Sequence, residues 1–209
     1  MMNHKIILTI GRQFGSGGRE IGKKLADIFQ IGYYDKELIF LAAKESGLCP
    51  EVFEKADEKA SSAIGHAFSV GFSPMAFYLP YNDILSNERL FQLQSDTIRN
   101  LAENESCVLV GRCADYILRD NPNCFSIFIH SKVEQRIQNI VKRQTVTEQE
   151  AKELIAKTDK SRSAYYNYYT NKEWGHASSY NISIDSSVLG TDETVLFIKD
   201  FVERNCSNK

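Results

Sequence analysis

The apolar positions of the chain recur with two different periods, and these divide it into short strands and longer helices. Residues 5–10, KIILTI, carry β-branched residues and leucine at both odd and even positions, which is typical of a central parallel strand covered by helices on both faces. In residues 19–29, by contrast, Ile21, Leu25 and Ile28 recur at helical spacing. The chain therefore opens with a strand, a glycine-rich loop and a helix, followed after Gly32 by a short strand and a second helix.

Capping signals predict where the later helices begin. A serine, threonine or aspartate side chain can accept a hydrogen bond from the first N–H groups of a helix, and a glutamate a turn later completes a capping box. Such signals precede four predicted helices. They are Asp35 before residues 36–46, Ser86 before residues 87–104, Ser131 with Glu134, and Thr147 with Glu150.

Apolar runs between these helices predict further strands. They cover residues 107–110, 125–130 and 180–187, and a helix over residues 192–204 closes the chain. Because strands alternate with helices throughout, a parallel α/β sheet is the expected architecture. Residues 50–85 differ, since they carry scattered aromatic side chains and show no sustained period, and we interpret them as an insertion that covers a site.

The composition narrows the classes of protein that the chain can represent. At 209 residues it is long enough for one domain with its own core. The net charge is −2, so the global basic field of nonspecific nucleic-acid binders is missing and any anion site is local. The five cysteines follow neither zinc-site nor disulfide spacing, and the first apolar run is too short for a signal peptide or a membrane span. We expect a cytoplasmic protein with reduced thiols and with no nucleic-acid or membrane partner.

The glycine-rich loop is the first candidate binding site. Gly15, Gly17 and Gly18 lie between the first strand and the first helix, where missing Cβ atoms let backbone N–H groups curl around an anion. Ligands of open α/β sheets bind at this edge, beyond the carboxyl ends of the strands. Three glycines within four positions exceed what a tight turn needs, so we favour phosphate binding over a purely structural turn.

Two glycine motifs compete for this loop, and neither fits completely. The dinucleotide fingerprint G-x-G-x-x-G begins well at Gly15 and Gly17 but requires glycine where Glu20 stands, although Asp35 is suited to hold a ribose. In the alternative, G-x-x-x-x-G-K-[ST], Gly18 stands at the lysine position, and we assign the position of the metal-binding hydroxyl to Glu20.

Four segments taken in order resemble one family. GRQFGSGGREIGKKLA, then YYDKELI, then VLVGRCADYIL, and finally DKSRSAYYNYY ahead of ISIDSS are similar to the cytidylate kinase-like branch of the P-loop nucleoside monophosphate kinases. The resemblance implies a single kinase-like domain over residues 1–209 with a three-layer α/β/α P-loop fold and a parallel sheet in the order 2-3-1-4-5. It also implies an acceptor-binding insertion at residues 50–90, a helical lid at residues 144–178, and ATP or another nucleoside triphosphate with Mg²⁺ as the cofactor.

The same resemblance assigns donor-binding roles to the loop. Backbone N–H groups would hold the β-phosphate, and Arg19, next to the missing lysine, is the first candidate to replace its charge, with Arg12 as the second. Ser16, Glu20 or Asp35 would contribute to the magnesium shell. The donor-site candidates are Arg12, Gly15, Ser16, Gly17, Gly18, Arg19 and Glu20.

Acceptor binding and catalysis fall to residues beyond the loop. Arg112 matches the arginine of the family's Gly-Arg pair, which points at the acceptor phosphate, while Asp35 would seat the acceptor or cap a helix. Asp115 would bind the base or pair with Arg112. Basic residues of the lid helix would close on the transferring phosphate. The catalytic candidates are Arg19, Arg112, Lys160 and Arg162, and the acceptor-binding candidates are Asp35, Arg112, Asp115 and Arg143.

Three functions stay open at this point. The first is transfer of the γ-phosphate of a nucleoside triphosphate to a nucleoside monophosphate, CMP-like, or to another small acceptor. The second is a catalytically degenerate, nucleotide-binding regulatory protein, and the third is a dinucleotide-dependent enzyme. The partners are small-molecule nucleotides, and a homodimer is one candidate assembly. For the aromatic segment around Trp174, lid packing or stacking on a nucleobase is favoured over binding of single-stranded nucleic acid.

Overall fold

Five parallel strands form one sheet in a computed structural model that describes residues 5–35 and 87–207. Each neighbouring pair of strands is parallel, and the order is β2-β3-β1-β4-β5. This confirms the parallel α/β architecture and the order implied by the resemblance. The strands are β1 (Ile7–Arg12), β2 (Gly32–Tyr34), β3 (Cys107–Val110), β4 (Cys124–His130) and β5 (Ile182–Asp185).

Helices connect these strands, as parallel neighbours require. A short 3₁₀ helix, Ala177–Ser179, precedes β5. Gly190 interrupts the last helix with a non-helical backbone, at φ 76° and ψ 170°. Within the described residues the helices are α1 (Gly18–Phe29), α2 (Asn87–Asn104), α3 (Ala114–Ile117), α4 (Val133–Gln144), α5 (Glu148–Thr170) and α6 (Ser186–Ser207).

The core lies on both faces of the sheet because the central strands are buried at consecutive positions. On one face, Leu8 and Ile10 of β1 pack in a cluster with Ile21 of α1 and Ile198 of α6. Residues of the opposite parity, such as Ile7, are equally buried. Burial on both sides explains why the first strand reads as continuously apolar rather than alternating.

One of the two predicted capping boxes is confirmed and the other is wrong. The Thr147 side chain accepts a hydrogen bond from the N–H of Glu150, and the Glu150 carboxylate accepts one from the N–H of Thr147. At the other site α4 begins at Val133 with Lys132 in the N-cap position, and Ser131 does not cap it. The Ser131 N–H is instead held by the side chain of Gln13, at 3.2 Å.

The chain divides into two compact units, Met1–Lys36 with Ile98–Lys209, and Glu37–Thr97. The first unit holds the whole sheet; of the second, the described part belongs to α2. The helix predicted after Asp35, the Ser86 cap and most of the insertion predicted at residues 50–90 lie outside the described residues. Within the described part of the chain, no helix is both long and apolar enough to cross a membrane.

Candidate active site

The glycine loop lies where predicted, at the carboxyl edge of the sheet between the end of β1 and the start of α1. Gly15 and Gly17 have positive φ angles of 81° and 79°, which reverse the chain before the helix. The first N–H groups of a helix have no partner within the helix, and the helix dipole adds a partial positive charge there. The loop therefore leads into a helix end suited to an anion.

Ser16 ties this loop to the rest of the sheet. Its hydroxyl is buried, 2.9 Å from the carbonyl oxygen of Gln13 and 3.1 Å from that of Ile129. Its own carbonyl oxygen accepts a hydrogen bond of 2.7 Å from the hydroxyl of Ser186, at the start of α6. The Ser16 hydroxyl therefore anchors the loop through its proton to the ends of β1 and β4, and its role as a magnesium ligand stays a prediction. Ser186 was missed from the sequence because it lies 170 residues away along the chain.

Arg12 fills the space next to the position of the missing lysine. A Cβ atom added to Gly18 would lie 2.6 Å from the Cβ of Arg12 and 3.0 Å from its Cγ. At the other end of the side chain, Nη1 of Arg12 would lie 2.2 Å from a Cβ added to Gly111, beyond the end of β3. The Arg12 side chain therefore runs from the base of α1 to the turn after β3.

Arg19 has a different partner from the one predicted. Its Nη2 lies 2.5 Å from Oδ2 of Asp35, whose side chain is 7% exposed against 61% for Arg19. The spacing G-x-x-x-x-G-K-[ST] places the hydroxyl directly after the lysine position, so Arg19 stands there and the assignment of that position to Glu20 is wrong by one residue. The residue at the hydroxyl position is thus a cation bound to the acid that follows β2.

The side chains that the sequence suggested for magnesium each have partners within the protein. Glu20 is exposed on α1, and Lys24 lies 3.1 Å from it and 2.6 Å from Asp192. Asp35 is engaged by Arg19. Among the described residues, no group of three or more histidine, cysteine, aspartate or glutamate side chains is placed to hold a metal ion. The described part of the loop therefore supplies guanidinium groups where a magnesium site needs oxygen ligands.

The turn after β3 carries unusual backbone geometry at a predicted site residue. Gly111, Arg112 and Cys113 have consecutive positive φ angles of 82°, 58° and 56°. For a non-glycine residue this conformation costs roughly 1–2 kcal/mol. The Arg112 guanidinium carbon lies 5.4 Å from the centroid of the Tyr165 ring on α5. Backbone strain of this kind is concentrated at functional sites, which supports the role predicted for Arg112.

Helix α5 is fastened to the glycine loop through Phe14. The N–H of Phe14 donates to Oδ1 of Asp159 at 2.8 Å, and Nε of Arg136 donates to the carbonyl oxygen of Phe14 at 2.7 Å. Arg136, which is buried, also forms an ion pair with Asp159. Both backbone polar groups of Phe14 are thereby fixed. Sequence reasoning assigned no role to this Arg136–Asp159 pair, because its members belong to different helices.

Arg162 brings a second basic group from α5 to the loop. Its Nη1 donates to the carbonyl oxygen of Arg12 at 2.9 Å, and its guanidinium carbon lies 5.6 Å from the centroid of the Phe14 ring. Arg143, exposed at the end of α4, lies 5.8 Å from the same ring. Burial, together with Arg136 and Arg143, lowers the pKa of Arg162 to about 10, while Asp159 acts in the opposite direction. Lys160, by contrast, is exposed on α5.

Asp115 lies in a separate polar cluster. Its Oδ2 accepts a hydrogen bond of 2.8 Å from the hydroxyl of Tyr166, so the pairing with Arg112 considered from the sequence is not what the structure shows. Burial raises the pKa of Asp115, and the hydrogen bond from Tyr166 partly offsets this. The aromatic segment contributes to packing, because Trp174 and Tyr180 both contact Phe128, with ring centroids 5.3 Å and 5.0 Å away.

Three guanidinium groups from separate elements therefore come together near the loop. Arg12 ends β1, Arg112 follows β3 and Arg162 lies on α5. Burial, together with the nearby Arg162 and Arg112, lowers the pKa of Arg12 to about 9, while Tyr33 and Asp35 act in the opposite direction. Such a grouping suits a ligand with several negatively charged oxygens, which planar guanidinium groups bind with paired hydrogen bonds.

Comparisons with known proteins agree with this geometry. The model of the cytidylate kinase-like family matches residues 7–188. A cytidylate kinase of Methanosarcina barkeri is 27% identical over 180 residues, which are 86% of each chain. An uncharacterized protein from Eubacterium ventriosum is 35% identical, with a TM-score of 0.73 over 96% of this chain and 99% of that one. A gluconokinase from Sinorhizobium meliloti, 12% identical with a TM-score of 0.53 over 97% of this chain and 94% of that one, shares the fold. The chain belongs to the cytidylate kinase-like family.

Proposed function

We propose that the protein transfers the γ-phosphate of ATP, or of another nucleoside triphosphate, to a small phosphorylated acceptor, with a nucleoside monophosphate such as CMP as the first candidate. One observation carries the proposal: Arg112 and Arg162 lie close enough for their charges to act on Arg12, beside a glycine loop that opens a helix. Phosphoryl transfer needs mainly this, two phosphates held in line and their charge neutralised. Membership of a kinase-like family supports the same reaction class.

The described elements divide the two substrates between them. Backbone N–H groups from Gly15 to Arg19 would bind the β-phosphate of the donor, and Arg112, held in its strained turn, would bind the acceptor phosphate. Arg162 and the exposed Lys160 and Arg143 would neutralise charge from the side of residues 144–178, which act as a lid in this proposal. Asp35 and Asp115, with the insertion at residues 50–90, would position the acceptor.

Magnesium enters no step of this proposal. Donor nucleotides of kinases commonly carry it, and it would neutralise phosphate charge when bound. Of the described side chains that might hold it, Ser16 donates to carbonyl oxygens, Glu20 pairs with Lys24 on the surface and Asp35 pairs with Arg19. We therefore assign charge neutralisation to the arginine side chains.

The test is a turnover screen. Purified protein is incubated with ATP or GTP and each of the common ribo- and deoxyribonucleoside monophosphates, and the diphosphate product is measured by chromatography. We expect turnover for at least one pair, and a large loss in Arg162→Met, because this change keeps the length of the stem and removes the charge. Exposed Lys23→Met serves as the matched control and is expected to retain activity.

A nucleotide-binding regulatory protein is the second candidate, favoured by the absence of a lysine from the loop. It predicts nucleotide binding with no turnover above Arg162→Met for any pair. The dinucleotide alternative has lost support, since Asp35, the acid suited to a ribose, is paired with Arg19.

A further inference from the structure

We infer that Arg12 supplies the positive charge that the missing loop lysine supplies in other phosphate-binding loops. The cation has moved from the start of α1 to the end of β1, by an exchange of glycine and a basic residue between positions 12 and 18. This inference rests on the proposed nucleotide site and names the residue that replaces the lysine in it.

The exchange is seen when the phosphate-loop motif is aligned on Gly17 and its positions are compared on both sides of that residue. With Gly17 as the second glycine of G-x-x-x-x-G-K-[ST], the first glycine falls on position 12 and the lysine on position 18. This chain has arginine at position 12 and glycine at position 18. Both motif positions are changed, and each carries the type of residue expected at the other.

Packing explains why the two changes occur together. A Cβ atom at position 18 would lie 2.6 Å from the Cβ of Arg12, a separation that real Cβ atoms essentially never show. The Cβ and Cγ atoms of Arg12 lie next to the backbone and are packed there. They therefore cannot move away, as the end of a long side chain could. In this backbone, arginine at 12 and any side chain at 18 exclude one another.

The Arg12 charge lies between the two phosphate positions of the proposed reaction. The stem packs over Gly18 at the base of the donor loop, and Nη1 reaches Gly111, next to Arg112 of the proposed acceptor site. The Arg12 carbonyl oxygen is held by Arg162, so the backbone that carries this side chain is fixed from α5. A cation in that position contacts both the donor and the transferring phosphate, as the motif lysine does by reaching the β- and γ-phosphates.

Electrostatic interactions favour Arg12 over Arg19 as the residue that replaces the loop lysine. Burial and the neighbouring Arg162 and Arg112 lower the pKa of Arg12 to about 9, so an anion bound there would relieve an unfavourable concentration of positive charge. Arg19 is 61% exposed and already pairs with the buried Asp35. Its charge therefore has a carboxylate partner, whereas that of Arg12 is surrounded mainly by other cations.

The experiment is a reciprocal exchange. Binding of ADP and of inorganic tripolyphosphate is measured by calorimetry for the full-length wild type, Arg12→Met, the double variant Arg12→Gly with Gly18→Lys, and the exposed control Lys23→Met. Circular dichroism and thermal unfolding report whether each is folded. We expect Arg12→Met to weaken binding of both ligands by about tenfold or more, because it removes the charge and keeps the stem. The double variant, which restores the first glycine and the lysine of the motif, is expected to recover most of the loss, and Lys23→Met to change binding by less than about threefold.

Each result distinguishes the inference from the function on which it rests. A folded Arg12→Met that binds as tightly as wild type overturns the assignment of Arg12, and so does a folded double variant that binds no better than Arg12→Met. A wild type that binds neither ADP nor tripolyphosphate overturns the proposed nucleotide site itself. Recovery in the double variant supports both, since the lysine can replace Arg12 only at a site that holds phosphate.

Discussion

The Nη2 atom of Arg19 lies 2.5 Å from the Oδ2 atom of Asp35, so the residue after the lysine position is joined to the acid that follows β2. Asp35 is buried while most of the Arg19 side chain is exposed. The pair connects the start of α1 with the end of β2.

Removal of Arg19 is expected to affect stability more than nucleotide binding. Arg19→Ala leaves the Asp35 carboxylate without this partner, but solvent screens the exposed arginine, so we expect the free energy of unfolding to fall by about 1 kcal/mol. Urea denaturation measures this, with Lys23→Ala on the exposed side of the same helix as the control. A loss of nucleotide affinity larger than that of Arg12→Met would contradict the expectation.

Two substitutions at Arg112 separate backbone strain from function. Arg112→Ala and Arg112→Gly both remove the guanidinium, so both should weaken acceptor binding or turnover to a similar extent. Only glycine accepts the φ of 58° without a steric penalty, so Arg112→Gly is expected to be more stable than Arg112→Ala by about 1 kcal/mol. Denaturation curves and turnover are measured for both proteins. Equal stability of the two variants would show that the turn relaxes when the side chain is lost.

The buried Asp115 predicts a specific dependence of stability on pH. Burial raises its pKa above the ordinary value of 3.8, so the folded state binds more protons than the unfolded state between these two pKa values. The contribution of Asp115 to stability is therefore fully present below about pH 3.8 and is lost as the pH rises through the raised pKa. Asp115→Asn should remove this loss, and the difference in unfolding free energy between wild type and variant should grow in the variant's favour over that window.

Tyr166→Phe provides the matched control for this pH dependence. The Tyr166 hydroxyl donates to Asp115 and stabilises its charged form, so its removal should raise the pKa of Asp115 further and extend the window to higher pH. Denaturation across a pH series from acid to neutral measures all three proteins. Parallel pH profiles for wild type and Asp115→Asn would contradict the assignment.

Nucleotide binding is expected to depend little on magnesium. The described part of the loop replaces oxygen ligands with guanidinium groups, so the affinity for ADP in EDTA should lie within about threefold of that in Mg²⁺. Calorimetry in both buffers measures this, with Asp35→Asn as a second protein. A rise of about tenfold or more with Mg²⁺ that disappears in Asp35→Asn would show that Asp35 leaves Arg19 to bind the metal.

Periodicity along the chain sufficed to predict the strands, α1 and the position of the glycine loop, because burial repeats locally in a strand or helix. The order of the strands needed the family resemblance, since a local pattern holds no information on neighbours. The Ser131 capping box failed because the Ser131 N–H is taken by Gln13, 118 residues away. The Thr147 box succeeded because both of its partners lie within one turn.

The sequence predicted which positions form the candidate site, but not the contacts that their side chains make. Arg162 contacts the backbone of Arg12, and Arg112 lies in the turn after β3, but the sequence could not show that Arg12 and Gly18 compete for one volume. It equally could not show that Asp159 on α5 accepts from Phe14, because such pairs are made by folding and not by spacing. The sequence therefore predicted where charged side chains lie, but it did not predict which residues they pair with.

The overlap between positions 12 and 18 also restricts how such a loop can arise by single substitutions. Starting from glycine at 12 and lysine at 18, an arginine introduced first would meet the lysine side chain at its Cβ. The accessible route passes through an intermediate with glycine at both positions and no loop cation. Among related chains, we therefore expect these two positions to covary, with the basic residue at one or the other and never at both.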